Sequence, residues 1–479
     1  MNSLSMLVFS GTIFIWTLFP VTTSTVPLMR WCVIGRAGKE LCQKMATELQ
    51  QAHLMQVMCV EARHAFHCMK LIHDNLADAV NLDAEQLFVA GKYFQLKPLL
   101  SERVGDSDVL TDAVVVVKKT VQYTEGLADL AGKKLCLAGA DENNIQYQAL
   151  VNVLYPLGFI SINEGECTTT IPSLFRYFGQ SCAPGRWSLS PDMKKRYGGK
   201  MCSLCRTVCT EQDYYAGPAG AIRCLLNNDA DVAITSSEAL IEANLDPERY
   251  HLLCIQGARR PLNKPCAWLA SKRNVVAVSD KTALGTQTKW RKAITKIFEV
   301  YTNNGTQEAP PWLYKVVFSR PDMSGVGEVY YQDTYERYLG LVFLRTFTSP
   351  LPPLVCGQPL SLRWCVVLPM HVDKCEQMMY AFLAKRLKPQ LKCLSARSTD
   401  ECARWVSEGA ADLTILRPDE AYTAYTKSSL TPIFAEKYSD HTDATLYAVA
   451  VVKKSSNFSL HNLIGSRSCH PGANDILGE

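Results

Sequence analysis

The sequence predicts an α/β fold with a largely parallel sheet, repeated in part along the chain. Three observations carry this. Short apolar strands alternate with amphipathic helices from residue 30 onward, the order expected of βαβ units. The run DAVVVVKK at 112–119 is continuously β-branched, as in a strand buried on both faces. The opening words also return, RWCVIG at 30–35 being answered by RWCVVL at 363–368.

The elements follow in order. Residues 7–21 are an apolar core and small polar residues fill 22–25, so 1–25 reads as a signal peptide cleaved near Val26. Residues 30–34 form a short strand. Residues 38–52 form a helix with Leu41, Met45 and Leu49 on one face. MQVMCVEA at 55–62 is a strand, AFHCMKLIHDNL at 65–76 a helix and DAVNLD at 78–83 a strand. TKWRKAITKIFEVY at 288–301 is an amphipathic helix.

The chain has 479 residues, enough for two to four domains, and its net charge of +4 is small for that length. Lys118-Lys119 and Lys194-Lys195-Arg196 read as solvated faces, and no basic stripe interleaved with aromatics points to nucleic acid. No later run has the length and apolarity of a bilayer span, and no apolar tail suggests a lipid anchor. Asn304 and Asn457 stand in glycosylation sequons. The 19 cysteines are expected to form disulfides in an exported protein, with one left over. A zinc site from Cys182, Cys202, Cys205 and Cys209 is the alternative reading of that cluster.

The repeat governs the organisation. Cys32 and Cys42 answer Cys365 and Cys375, and Cys59 and Cys68 answer Cys393 and Cys402. LKPLLSE at 96–102 answers LTPIFAE at 430–436, and LAGKKLCLAGA at 130–140 answers LIGSRSCHPGA at 463–473. The offset stays between 333 and 335 throughout. The expectation is one lobe over 26–350, a Pro-rich linker at 351–362, and the first part of a second lobe at 363–479.

The RWC start, ADAVNLDA, AVVVVKK, GKKLC and AGAIRCL together resemble the transferrin family. The resemblance implies lobes of two α/β subdomains, similar to periplasmic binding proteins, hinged around a cleft. The first subdomain would be about 26–110 plus 272–350, and the second about 111–271. It also implies the pairs Cys32–Cys68, Cys42–Cys59, Cys136–Cys224, Cys182–Cys205, Cys202–Cys209 and Cys254–Cys266. The repeat extends these to Cys365–Cys402 and Cys375–Cys393. Cys167–Cys356 would join lobe to linker. Cys469 matches Cys136 and is left unpaired, which reads as a second lobe cut short.

Iron-binding lobes of the family hold ferric iron with one Asp, two Tyr, one His and a carbonate. Carbonate rests on a helix N-terminus beside a Thr and an Arg. Here the Asp position is Asp83, which with the other ligands substituted reads as a structural residue that caps a helix or links the subdomains. Thr111 and Pro218 stand at the Tyr positions, with Tyr215 three residues early, and Arg273 stands at the His position. Ala138 and Glu142 stand at the Thr and Arg positions of the anion loop. In the second copy Arg417 takes the Asp position, Leu446 the Tyr position with Tyr447 beside it, and Pro471 and Asp475 the anion positions. This donor set does not suit a hard trivalent cation, so no cofactor is expected.

His53, His64, His67 and His73 are close in sequence and read as structural. No nucleophile elbow, HExxH or phosphate loop supports an enzyme. The expectation is a secreted, extracellular, monomeric protein in which the family's iron role is weak or lost. The alternative is an iron-independent scaffold for another ligand or a cell-surface or extracellular protein partner, with Arg273 and Glu142 suiting a zwitterionic ligand.

Overall fold

The structure is a computed structural model. It describes residues 27–479 apart from 122–125, 142, 162–169, 265, 303–308, 322, 331, 349–360, 388, 436–452, 454, 456–466 and 468–479. The signal-peptide reading, Glu142, Asn304, Asn457, Cys167, Cys356, Cys469, Leu446, Tyr447, Pro471 and Asp475 therefore lie outside the described residues.

The strands run in chain order as β1 (Leu28–Ile34), β2 (Gln56–Ala62), β3 (Ala79–Leu82), β4 (Leu96–Arg103), β5 (Val109–Lys118), β6 (Leu135–Leu137), β7 (Ser181–Cys182) and β8 (Val232–Thr235). They continue as β9 (Tyr250–Leu253), β10 (Arg259–Arg260), β11 (Leu269–Lys272), β12 (Val275–Ser279), β13 (Gly325–Glu328), β14 (Ser361–Val366), β15 (Gln390–Ser395) and β16 (Leu413–Thr414).

Three sheets result. The first has the order β13-β4-β12-β3-β1-β2. The second has the order β10-β9-β5-β8-β6-β7, with β11 also on β5. The third, β15-β14-β16, belongs to the second copy and is parallel throughout.

The first two sheets are mixed rather than largely parallel. Strands β1, β2 and β3 pair in parallel, and so do β6, β7 and β8. Strand β12 is antiparallel to β3 and β4, and β5 is antiparallel to β8, β9 and β11. The cause is topological. The chain leaves the first sheet through β4, enters the second as β5, and returns through β11 into β12, so each sheet receives strands running against its βαβ units.

Strand alternation divides the core. Met29, Trp31 and Val33 face the helices Gly35–Gln51 and Leu284–Thr302 with Cys42, Met45, Leu49, Trp290 and Ile294. Cys32, Val80 and Leu82 face the helices Ala65–His73 and Ala84–Phe94 on the other side. Along β5, Ala113, Val115 and Val117 join one cluster and Val114 and Val116 another, all at 0% exposure. That burial on both faces is why the run needs no polar alternation.

Candidate functional site

Two stretches cross between the first and second sheets, 104–108 from β4 to β5 and Arg273-Asn274 from β11 to β12. They are tied together. The Arg273 N–H donates to the Asp108 carbonyl at 2.7 Å, and Lys272 Nζ pairs with Asp108 Oδ1 at 2.8 Å.

Strand register places Asp83 and Thr111 beside these crossings, while Pro218 and Ala138 meet each other at the second sheet. Leu82 pairs with Val275, so Asp83 follows a residue held opposite the strand that Arg273 precedes by two positions. Ser271 pairs with Thr111 and stands two positions before Arg273. Pro218 opens the helix Pro218–Asn227, and its carbonyl accepts Thr235 Oγ1 at 2.8 Å at the end of β8. The Gly217 N–H donates to the Ala138 carbonyl at 2.7 Å, which joins Pro218 to the loop after β6.

Glycine is required in this turn. Gly217 has φ +78°, and a Cβ on Gly220 would lie 2.4 Å from the Tyr215 carbonyl carbon.

Asp83 is already engaged within the fold, and so are Asp112 and Tyr215. Asp83 is the N-cap of the helix Ala84–Phe94. Its Oδ1 accepts the Gln86 N–H at 2.6 Å, and Gln86 Oε1 accepts the Asp83 N–H at 3.3 Å, a reciprocal capping box. Burial raises the Asp83 carboxyl above its usual range, while the Gln86 N–H and the charge of Lys385 pull the other way. Thr111 is exposed. Its neighbour Asp112 is buried and accepts the Ser237 N–H at 2.7 Å and the Ser237 hydroxyl at 2.5 Å, at the start of the helix Ser237–Ala243. Tyr215 is buried, and its hydroxyl accepts Asn227 Nδ2 at 3.3 Å.

The loop before the helix Ile145–Leu154 is tied to the helix start and to residues 184–186. Asn144 Oδ1 accepts the Tyr147 N–H at 3.0 Å, Ala140 N–H donates to the Pro184 carbonyl, and Asp141 Oδ1 accepts the Arg186 N–H at 2.8 Å. Burial raises the Asp141 carboxyl, and the Glu211 charge adds to this against the Arg186 N–H. An acid, Asp141, thus stands half-buried in the loop after β6.

Disulfides join Cys32–Cys68, Cys42–Cys59, Cys136–Cys224, Cys182–Cys205, Cys202–Cys209, Cys254–Cys266, Cys365–Cys402 and Cys375–Cys393. Cys182, Cys205 and Asp213 lie close enough to share a metal, but the two sulfurs are bonded to each other and offer no thiolate. The zinc alternative therefore fails for want of ligands. Asp213 instead gathers the loop. Its carboxylate accepts backbone N–H bonds from Thr207, Val208 and Tyr215 at 2.8–3.0 Å. Burial alone would raise this carboxyl, but those N–H groups and that of Arg206 hold it down at about 2.

The histidines serve the backbone. His64 Nδ1 accepts the His67 N–H at 3.1 Å, His67 Nδ1 accepts the Arg63 N–H at 3.2 Å, and His73 Nδ1 meets the Phe94 carbonyl at 2.9 Å. His53 sits at φ +54° in a turn.

Sequence reasoning passed over Asp112, Asp213 and Arg386. A charged residue heading an apolar strand is a readable signal for Asp112. Asp213 gathers its own loop through irregular backbone contacts, and Arg386 reaches Glu85 and Gln148, far off in sequence, so neither leaves a periodic pattern.

The family model described as Transferrin matches residues 29–304 and 362–478. Melanotransferrin of Oryctolagus cuniculus is 29% identical over 94% of this chain and 63% of its own length. Ovotransferrin of Gallus gallus is 26% identical over 94% of this chain and 65% of its own. The chain thus spans less than two thirds of these relatives. The solved structure of transferrin 1 from Manduca sexta has a TM-score of 0.67 at 22% identity, covering 84% of this chain and 64% of that one, a likeness of fold. With two mixed sheets joined by paired crossings, and the family pattern in both copies, the chain belongs to the transferrin family.

Proposed function

We propose that this chain is a non-catalytic extracellular binding protein on the transferrin scaffold, one that holds ferric iron weakly or not at all. Its cleft or surface then serves another ligand or a protein partner. One observation carries the reading: the donor set at the family's ligand positions. Asp83 supplies a carboxylate already bound to a helix N-terminus. Thr111 supplies a neutral hydroxyl, Pro218 no side-chain donor, and Arg273 a cation.

Ferric iron needs several anionic oxygens to resist hydrolysis, and one carboxylate does not provide them. The carbonate half fares no better. Ala138 has no hydroxyl, and Asp141 brings negative charge to the loop. The disulfides and the apolar leader support export. Among the described residues no helix is long and apolar enough to cross a membrane.

The test is iron content. The full chain is offered ferric nitrilotriacetate with bicarbonate, freed of excess by gel filtration, and assayed by elemental analysis. Less than about 0.1 iron per chain is expected from so poor a donor set. Near-stoichiometric iron would overturn the reading and restore the carrier role.

A further inference from the structure

The second copy meets the first along one helix and at the residues just past its end. The helix Pro369–Ala384 lies against the helix Ala84–Phe94, with Tyr380 packed among Phe66, Tyr93 and Phe94 at ring separations of 5.2–5.5 Å. Asp373 on the same helix pairs with Arg63 at 2.8 Å. The helix ends at Ala384, and Arg386 follows in the left-handed region at φ +54°. Glycine is the usual residue there, because a Cβ is unfavourable in that conformation. An arginine that accepts this backbone is held by its surroundings.

Those surroundings come from both halves of the first lobe. Arg386 Nη2 pairs with Glu85 Oε1 at 3.2 Å, on the helix Ala84–Phe94 that packs on β3, β4 and β12 of the first sheet. Arg386 Nη1 donates to Gln148 Oε1 at 3.4 Å, on the helix Ile145–Leu154 that packs on β5, β8 and β11 of the second. The guanidinium also lies over Phe347 at 4.8 Å and Phe343 at 5.3 Å, on the helix Leu341–Thr348. Phe347 in turn stacks on Phe88 at 4.0 Å. A planar guanidinium can serve a carboxylate, an amide oxygen and an aromatic face at once, which a lysine ammonium cannot.

We propose that Arg386 is a positioning residue: the second copy inserts it between helices that flank the two sheets of the first, and so holds those sheets at one mutual angle. The crossings at 104–108 and 273–274 are the covalent joints about which the sheets turn, and Arg386 is the non-covalent strut beside them. The inference does not depend on what the cleft binds. Asp83 also lies within the field of Arg386, so the strut and the retained acid share one neighbourhood.

Hydrogen exchange followed by mass spectrometry on the full chain tests this, with small-angle scattering as the second readout. Arg386→Ala should speed exchange about tenfold in 145–154 and at both crossings, because local opening then meets one restraint fewer. The scattering profile should broaden. Arg386→Lys should keep part of the Glu85 attraction but behave like Arg386→Ala at 145–154. Gln148→Ala cuts only the arm to the second sheet and keeps the test alive if the Arg386 variants fold poorly. It should loosen 145–154 and leave 84–94 unchanged. Unaltered exchange at both crossings in Arg386→Ala, or changes confined to residues 361–435, would overturn the proposal. So would wild-type exchange of 145–154 in Gln148→Ala.

Discussion

Strand β4 and residues 430–435 show what the same words mean in two settings. LKPLL and LTPIF correspond residue for residue. In the first copy the segment is strand β4, held between β12 and β13, with Leu99 at 0% and Leu100 at 1% exposure. In the second, residues 430–435 form no strand and pair with none among the described residues. Ile433 is 75% and Phe434 89% exposed. The hydrophobic pattern is a necessary part of a strand, but the partner on each side decides whether it forms.

The comparison can be broken most forcefully at the disulfides. Cys136–Cys224 spans 88 residues, and replacing both by Ser should cost about 4–5 kcal/mol on the chain-entropy estimate, read as a shift in the denaturant midpoint. The matched bridges Cys32–Cys68 and Cys365–Cys402 span 36 and 37 residues and carry nearly the same cross-link entropy, about 4 kcal/mol. A second copy as well packed as the first should lose the same amount. A smaller loss there would locate the difference in packing rather than in the bridge.

The next effect is at the matched apolar residues. Leu99→Ala should cost about 2–5 kcal/mol as a buried cavity, and Ile433→Ala less than about 0.5 kcal/mol as a surface change. Equal costs in thermal unfolding would mean that 430–435 is covered in solution.

An intermediate effect is set by pH. Asp213 is held at about 2, below the ordinary unfolded value near 3.9, so the folded loop favours the ionised form. Its contribution is fully present above about pH 4 and is lost as pH falls through about 2. Exchange protection of residues 206–215 should fall across that window in the wild type. Asp213→Asn should show low protection already at pH 6, and a wild-type profile in that variant would exclude the role.

The smallest effect compares the two caps. Asp83 and Arg417 begin corresponding helices. Asp83→Ala should cost about 1 kcal/mol and Asp83→Asn less than about 0.5 kcal/mol, since Asn still caps. Arg417 is a cation at a helix N-terminus, balanced by Asp419 at 3.0 Å and Glu420 at 3.6 Å. Arg417→Asp should therefore gain less than the about 1 kcal/mol that a cap ordinarily brings, because those two acids would then repel it. A full gain would show that the flanking acids are already solvated.

Much of the first copy was legible in the chain. The helix read at 38–52 spans Gly35–Gln51, and the strand read at 55–62 spans Gln56–Ala62, because local periodicity and burial agree there. The helix read at 288–301 extends over Leu284–Thr302. The mixed strand directions were not legible, since direction follows from the return of β12 beside β3 across nearly 200 residues. The engagement of Asp83 was legible in part: the sequence offered that acid as a metal ligand or as a structural cap, and it is the cap. A spacing of three to Gln86 was the available signal. Arg386 was silent for the same reason as β12: its meaning lies in Glu85 and Gln148, which only tertiary structure brings to it.

The paired crossings have one more consequence. Val109 and Lys272 are partners in register, and the Asp108 carbonyl already accepts the Arg273 N–H. Everything between them leaves the first sheet and comes back at a single doorway. In the language of chain engineering, residues 109–272 are a cassette. Its two ends are neighbours in register, and none of the host sheet's six strands is drawn from it.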